Sequence, residues 1–175
     1  MKSIHFLVVL SVAATYDAVC QSVFYEPAAR VPQGIELVAV YFTSSDCGPC
    51  KSVEFKDLLE DAKVALRDQA SKHELGFAAI GVSLDWDAQV GIELLNTSGR
   101  FDEVVAGRNW FNVAAEVYVW KGENVVPAMP QVVLVTRSLT AGPGGATFGD
   151  TTPLASYAGD ELVSWMKNGA LVRLD

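Results

Sequence analysis

The chain has 175 residues, of which 50% are apolar and 19% charged, enough to bury one sizeable core, so a single domain is the default. Its 13 Lys and Arg are outnumbered by 21 Asp and Glu, for a formal charge of −8 and a pI near 4.7. That balance excludes the clustered basic surface that phosphate binding needs, and with it nucleic acid as a partner.

The N-terminus, Met1-Lys2-Ser3-Ile4-His5 and then Phe6 to Ala14, has a short positive start, an apolar run and small residues. That is the shape of a secretory signal cleaved after Ala14, with Val12 and Ala14 at the positions that want small side chains. The run falls short of the ~20 residues that span a bilayer. A retained N-terminal strand or helix is the competing reading. Residues 1–20 are therefore expected to form a signal or an N-terminal extension, and 21–175 a single domain. Cleavage would put the protein outside the cytoplasm, in a periplasmic or secreted setting; a retained N-terminus would leave it cytoplasmic. Membrane association would follow only if the N-terminus were retained or lipidated. Cys20 makes the thiol count odd, and Asp17-Ala18-Val19 before it fits a lipid-attachment site poorly, which leaves an unpaired thiol.

A Pro-punctuated connector from Tyr25 to Gly34 leads into the apolar run Ile35-Glu36-Leu37-Val38-Ala39-Val40-Tyr41-Phe42, read as a buried strand. Shortly after it comes Cys47-Gly48-Pro49-Cys50. Pro49 lies where a helix would start, a position that tolerates its missing N–H. Cys47 would then sit at a helix N-terminus, where unpaired N–H groups and the macrodipole favour the thiolate, the form that attacks a disulfide. A metal knuckle is the first competitor, but a structural zinc site wants four ligands and the chain adds only Cys20, His5 and His73, none of them paired; no metal ligand set is assigned. A purely structural bridge is the second, and a loop this small gains least from cross-linking. A degenerate, non-catalytic relic is the third.

Beyond the motif, Phe55, Leu58, Leu59, Ala62, Ala65 and Leu66 recur at helical spacing, with Lys56, Asp57, Glu60, Asp61 and Lys63 on the other face. This predicts a long amphipathic helix ending between Lys72 and Gly76. Gly76 to Leu84 reads as a central parallel strand, which completes a βαβ unit. Asp87 to Leu95 reads as a second helix with Val90, Leu94 and Leu95 inward. Residues 97–126 resist assignment, because Val113 to Trp120 mixes helical and strand spacing. Met129-Pro130-Gln131 then precedes a strand, Val132 to Thr136, at whose start a proline costs no ladder bond. Ala141 to Ala146 reads as a turn between strands. The last helix begins near Asp160, a candidate N-cap, with Leu162, Trp165 and Met166 inward.

A strand ending at Phe42, a Cys-Gly-Pro-Cys opening a helix, a later X-Pro step into a strand and a C-terminal helix resemble the thioredoxin-fold thiol–disulfide oxidoreductases from Ile35 to Gly169. The stretch Ala79 to Asp85 and the long insert before Pro130 are most similar to the extracytoplasmic TlpA and ResA type. The resemblance implies an α/β fold: a thioredoxin-like three-layer α/β/α sandwich with a central mixed sheet and an insert between the central βαβ unit and the cis-proline strand. It implies that Pro130 is cis, and that Met129, Pro130, Gly48 and Pro49 face bound substrate. Three departures bear on tuning. Asp46 stands where the family usually has Trp and would oppose the Cys47 thiolate if close. Tyr41 replaces the family's buried Asp six positions before the first cysteine. The insert residues Arg108-Asn109-Trp110-Phe111 and Tyr118-Val119-Trp120 are aromatic-rich, forming either a substrate-facing lip or core. Glu54, one turn after Cys50, is a candidate assistant or a solvated glutamate.

The expected activity is reduction of protein disulfides, with Cys47 as the exposed nucleophile and Cys50 as the resolving thiol. The redox-active pair would be the only cofactor, since no flavin or nicotinamide fingerprint occurs. An external dithiol or electron-donor protein would therefore recharge it. A non-catalytic thioredoxin-fold binding or metal-handling module is the alternative from another class, and an oxidase or isomerase the alternative in direction.

Overall fold

The computed structural model describes residues 34–122, 125–142 and 145–174. The signal-like segment, Cys20, His5 and the connector up to Gln33 lie outside the described residues.

β1 (Gly34–Thr43) is the centre of the molecule, because eight consecutive residues from Glu36 to Thr43 are buried and both of its edges must be paired. One edge pairs in parallel with β2 (Gly76–Ser83), and the other antiparallel with β4 (Gln131–Gly142). β3 (Glu103–Val105) extends the sheet beyond β2, and β5 (Gly145–Ala158) pairs antiparallel with β4, giving the order β3-β2-β1-β4-β5. The strand after Pro130 is longer than its apolar run, since the β4–β5 ladder continues to Gly142 opposite Gly145. Ala141, Gly142, Gly145 and Ala146, expected in a turn, are therefore strand residues, and residues 143 and 144 lie outside the described residues.

Period-two alternation splits β1 between two cores. Leu37, Ala39 and Tyr41 face α1 (Val53–Lys72) and α4 (Gly159–Lys167), packing against Phe55, Leu59, Leu66, Leu162 and Trp165. α2 (Ala88–Thr97) covers Gly81 on the same side: a Cβ there would lie 2.8 Å from Phe101 and 3.1 Å from Leu95, so only a glycine fits beneath them. Val38, Val40 and Phe42 face the opposite way, toward Ala114, Ala115, Tyr118 and Val119. The result is the three-layer, thioredoxin-like sandwich that the sequence resembles, with the insert covering the second face.

The hard-to-assign insert is a short α3 (Val113–Ala115) running straight into a π-helical turn, Glu116–Trp120. Its buried residues, Ala114, Ala115, Tyr118 and Val119, recur at i, i+1, i+4 and i+5, one helical face, so the helical part of the mixed pattern is the one that packs.

Three expectations about faces and caps are corrected. Lys63 is 5% exposed rather than on the outer face: its ammonium donates to the Arg100 carbonyl at 2.6 Å, pairs with Glu60 and lies 4.3 Å from the Phe101 ring centroid. Its long stem crosses apolar surface to reach those partners. Val90 points outward, and α2 instead buries Gly91 and Leu95, with Gly91 close against Ser83. Asp160 is not the N-cap of α4. β5 runs directly into the helix through Gly159 at φ +53°, so Ala158 takes the cap position without a side-chain bond and Asp160 lies in the first turn.

Leu134, in β4, is completely buried. Leu134→Ala is expected to destabilise the fold by about 2–5 kcal/mol, read as a lower urea midpoint, while Val64→Ala on the exposed face of α1 stays within about 0.5 kcal/mol.

Candidate functional site

The carboxyl ends of parallel strands are where an open α/β sheet offers a crevice, and three loops meet at that end here. β1 ends at Thr43 and leads into the motif loop. Ser44 shapes that loop twice: its carbonyl accepts from the Cys47 N–H at 3.0 Å and its hydroxyl from the Asp46 N–H at 3.1 Å. Pro49 opens a single 3-10 turn (Pro49–Lys51), as its fixed φ and missing N–H favour. Cys47 and Cys50 are joined in a disulfide, with Cα atoms 5.4 Å apart.

The motif does not open the long helix directly. Ser52 is extended, at φ −70° and ψ 145°, and its hydroxyl accepts from the Phe55 N–H at 3.1 Å, capping α1 one residue later. A serine that can bond the backbone this way competes with helix continuation, so the turn carrying the cysteines is separated from α1. Cys47 therefore receives one backbone donor, the Cys50 N–H at 3.3 Å, in place of the full helix N-terminus expected. It is also 3% exposed rather than open to solvent, and Cys50 is fully buried. Gly48 and Pro49 are exposed above the bridge.

Met129-Pro130 is a cis peptide bond. Pro130 is buried, Met129 is 39% exposed, and the Pro130 carbonyl accepts from the Gly159 N–H at 3.1 Å. Because Phe42 pairs with Gln131, this step lies at the same end of the sheet as the cysteines.

Two groups absent from the sequence-derived site hold it together. Asp85, just beyond β2, accepts from the Ser45 N–H at 3.1 Å and hydroxyl at 2.5 Å and from the Ser83 hydroxyl at 2.6 Å. Burial pulls its carboxyl up, but those donors, with the charge of Lys51, outweigh it and hold the group below its ordinary value. Gln131, 1% exposed, donates to the Val126 carbonyl and the Ser156 hydroxyl, each at 2.9 Å, and accepts from the Ala128 N–H at 3.2 Å, which ties down the chain before Pro130. The available signals were a Ser-x-Asp at the carboxyl end of a parallel strand and a lone glutamine at the head of an apolar one.

The tuning candidates divide. Asp46 is exposed, so water screens its carboxylate. Glu54 is exposed and pairs with Lys167 at 3.1 Å, which commits it to the α1–α4 surface. Tyr41 is buried and stacked on Phe101, ring centroids 6.2 Å apart. Burial pushes its phenol up to about 12; the nearby Thr43 hydroxyl eases this slightly without reaching hydrogen-bond geometry, and both hydroxyls are left unpaired. A phenol so raised is neutral at any working pH and cannot serve as the base that a carboxylate would supply. The insert is in part core, since Tyr118 and Val119 are buried and Trp110 stacks on Phe42 at 5.9 Å, while Phe111 and Trp120 are exposed.

No family model matches the chain, and no curated protein does. Among solved structures it is similar to a thiol-disulfide oxidoreductase from Bacteroides fragilis NCTC 9343, at 19% identity and a TM-score of 0.41, covering 76% of this chain and 80% of that one. A thiol:disulfide interchange protein from Bacteroides sp. matches at 17% identity and a TM-score of 0.41, covering 76% and 72%. A secreted Mycobacterium tuberculosis disulfide oxidoreductase, described as homologous to E. coli DsbE, matches at 16% identity and a TM-score of 0.35, covering 76% and 81%. At such identities no residue role is inherited, and the chemistry rests on the residues themselves.

Asp85→Asn is expected to cost about 1–3 kcal/mol at neutral pH, because an amide cannot accept from all of these donors. A depressed carboxyl contributes stability above its ordinary value of 3.8 that is lost as pH falls through the folded value, so acid unfolding curves should lose that limb in the variant. Tyr41→Phe removes an unpaired buried hydroxyl and should be neutral or stabilising by up to about 1 kcal/mol, with dithiol turnover retained, as urea melts and insulin assays would show.

Proposed function

We propose that this protein is a thiol–disulfide oxidoreductase that reduces disulfides in polypeptides outside the cytoplasm. The observation that carries the proposal is the Cys47–Cys50 disulfide, held at the carboxyl end of β1, the end of the sheet that also carries the cis Met129-Pro130 step. A bridge that closes so small a loop contributes little as a staple, whereas it is well suited to opening and closing.

In the proposed cycle the reduced Cys47 thiolate attacks one sulfur of a substrate disulfide. A Cys47–substrate disulfide forms, the substrate's own bridge breaks, and its second sulfur leaves as a thiolate. The Cys50 thiolate then attacks the Cys47 sulfur, releases the remaining substrate thiolate and regenerates the Cys47–Cys50 bridge. Two electrons pass from the pair to the substrate, whose sulfurs take up two protons from solvent. Re-reduction requires an external dithiol or dithiol protein. Met129, Pro130, Gly48 and Pro49 are assigned to substrate contact: Met129, Gly48 and Pro49 are exposed, and the residue before a buried cis proline is placed to pair with an extended chain as an added strand does.

Burial supports the reducing direction. A Cys47 that is 3% exposed, with its sulfur offered a single N–H, has little stabilisation as a thiolate, and a couple whose reduced form is weakly stabilised gives up its electrons readily. The signal-like N-terminus supports export, with residues 21–175 as the working domain. Among the described residues no helix is long and apolar enough to cross a membrane.

Insulin reduction with dithiothreitol as donor tests the assignment. Cys47→Ser should abolish turnover, and Cys50→Ser should accumulate mixed disulfides visible on non-reducing gels; full activity in Cys47→Ser would overturn the proposal. A reduction potential near that of thioredoxin, about −270 mV, is expected, and one above about −180 mV would reverse the direction.

A further inference from the structure

Trp86 and Phe111 are 70% and 71% exposed, and their rings stack on each other with centroids 6.1 Å apart and planes 29° apart. Scattered apolar residues on a surface need no explanation, but two large aromatics stacked on each other in water form a patch. The patch is also held rigidly. The Arg108 N–H donates to the Trp86 carbonyl and the Asn109 N–H to the Asp85 carbonyl, each at 3.3 Å, so the loop after β2 and the insert are fixed to one another. Below them the insert is anchored on the core by Trp110, which stacks on Phe42 and whose carbonyl accepts from the Trp120 indole at 2.8 Å.

The same loop is bolted to the motif. Asp85, adjacent to Trp86 in the chain, holds Ser45, two residues before Cys47, and the Leu84 N–H donates to the Thr43 carbonyl at 2.7 Å. The aromatic pair is thus continuous with the loop that carries the reactive bridge.

We infer that Trp86 and Phe111 form a docking shelf for a polypeptide substrate, taking an aromatic or large aliphatic side chain placed close in sequence to the substrate cysteine. The inference rests on the disulfide-exchange reading and adds its specificity. During exchange the substrate sulfur is covalently bound to Cys47, so the chain on one side of the substrate cysteine must cross the surface next to the motif loop. A flat, prepaid aromatic surface there gains affinity by covering one more ring face, and it loses little side-chain entropy because the two rings already hold each other. The shelf makes no demand on hydrogen bonding, so it selects for apolar character rather than for one sequence.

The test uses three disulfides: a peptide dimer with Phe beside its cysteine, the same dimer with Ser in that place, and 2-hydroxyethyl disulfide. The full chain is expected to prefer the Phe over the Ser dimer in kcat/KM by about tenfold, the size of one buried ring face. Trp86→Ala and, separately, Phe111→Ser should bring that ratio close to one, and Trp86→Phe should restore most of it. Calorimetric titration with the cysteine-alkylated Phe peptide reads the shelf without redox chemistry. A wild-type ratio near one, or a ratio unchanged in both variants, overturns the shelf while leaving exchange with 2-hydroxyethyl disulfide standing. Loss of all exchange in the wild-type chain, with shelf-dependent binding of the alkylated peptide intact, overturns the redox reading and upholds the shelf.

Discussion

A carboxylate taken out of water has to be given donors in exchange, and Asp85 receives them from two separate parts of the chain, Ser45 in the motif loop and Ser83 at the end of β2. The bond to Ser45 spans 40 residues, and through it the loop that holds the cysteines inherits the rigidity of the parallel β1–β2 pair. The carboxylate's neighbours in the chain carry this outward: Leu84 is tied back to Thr43, and Asp85 and Trp86 accept from the turn that begins the insert. Motif loop, β2 terminus and insert are thereby a single unit at one end of the sheet. The depressed Asp85 carboxyl is the electrostatic sign of the same arrangement, since the donors favour the charged form more than burial opposes it.

The opposite end of the sheet has its own polar anchor. Arg137, buried in β4, pairs with Glu36 of β1 and Glu103 of β3 and donates to the Tyr118 hydroxyl of the π turn at 3.2 Å. Burial opposes the guanidinium charge, but the two carboxylates raise its affinity for the proton further. Its planar group also lies 4.2 Å from the Phe148 ring centroid. Buried ion pairs add little net stability against apolar packing, because desolvation consumes most of the attraction. Their value is geometric: with Glu36, Arg137 and Glu103 on three different strands, a slip of register would strand a charge. This anchor fixes β4, and with it how far Gln131 and Pro130 reach toward the motif.

The sequence was most informative where one physical rule acts alone. The apolar run of β1, the period of α1 and the Cys-Gly-Pro-Cys spacing are local signals, and the Met129-Pro130 step followed from the resemblance they supported. Legibility ended where a residue's environment is set by a distant segment. Lys63 counted as surface on helical spacing, yet the Arg100 carbonyl and the Phe101 ring, brought over it by α2 and the following loop, make burial favourable. Val90 looked inward for the same local reason, and the close approach of Gly91 to Ser83 turned the helix away from it. Asp85, Gln131 and Arg137 are polar residues whose roles exist only once strands far apart in sequence lie side by side.

The environment of the cysteines follows from one local competition. Had the motif turn continued into α1, the unpaired N–H groups of a 20-residue helix would converge on Cys47. Ser52 takes the extended conformation instead and spends its hydroxyl on the Phe55 N–H, so the helix field is capped before it reaches the sulfur. What surrounds the Cys47 sulfur is then burial and the single Cys50 N–H rather than the end of a long helix. Gly48 has a reason in the turn itself. Its backbone is right-handed helical immediately before Pro49, where a proline ring crowds a preceding Cβ, so a glycine relieves that clash, while nothing beyond its chain neighbours lies within 4 Å of a Cβ there. Under the proposed exchange, the missing side chain leaves an open approach to a bridge between two buried cysteines, while the aromatic shelf, tied to the same loop through Asp85 and Ser45, supplies affinity that the bare glycine cannot.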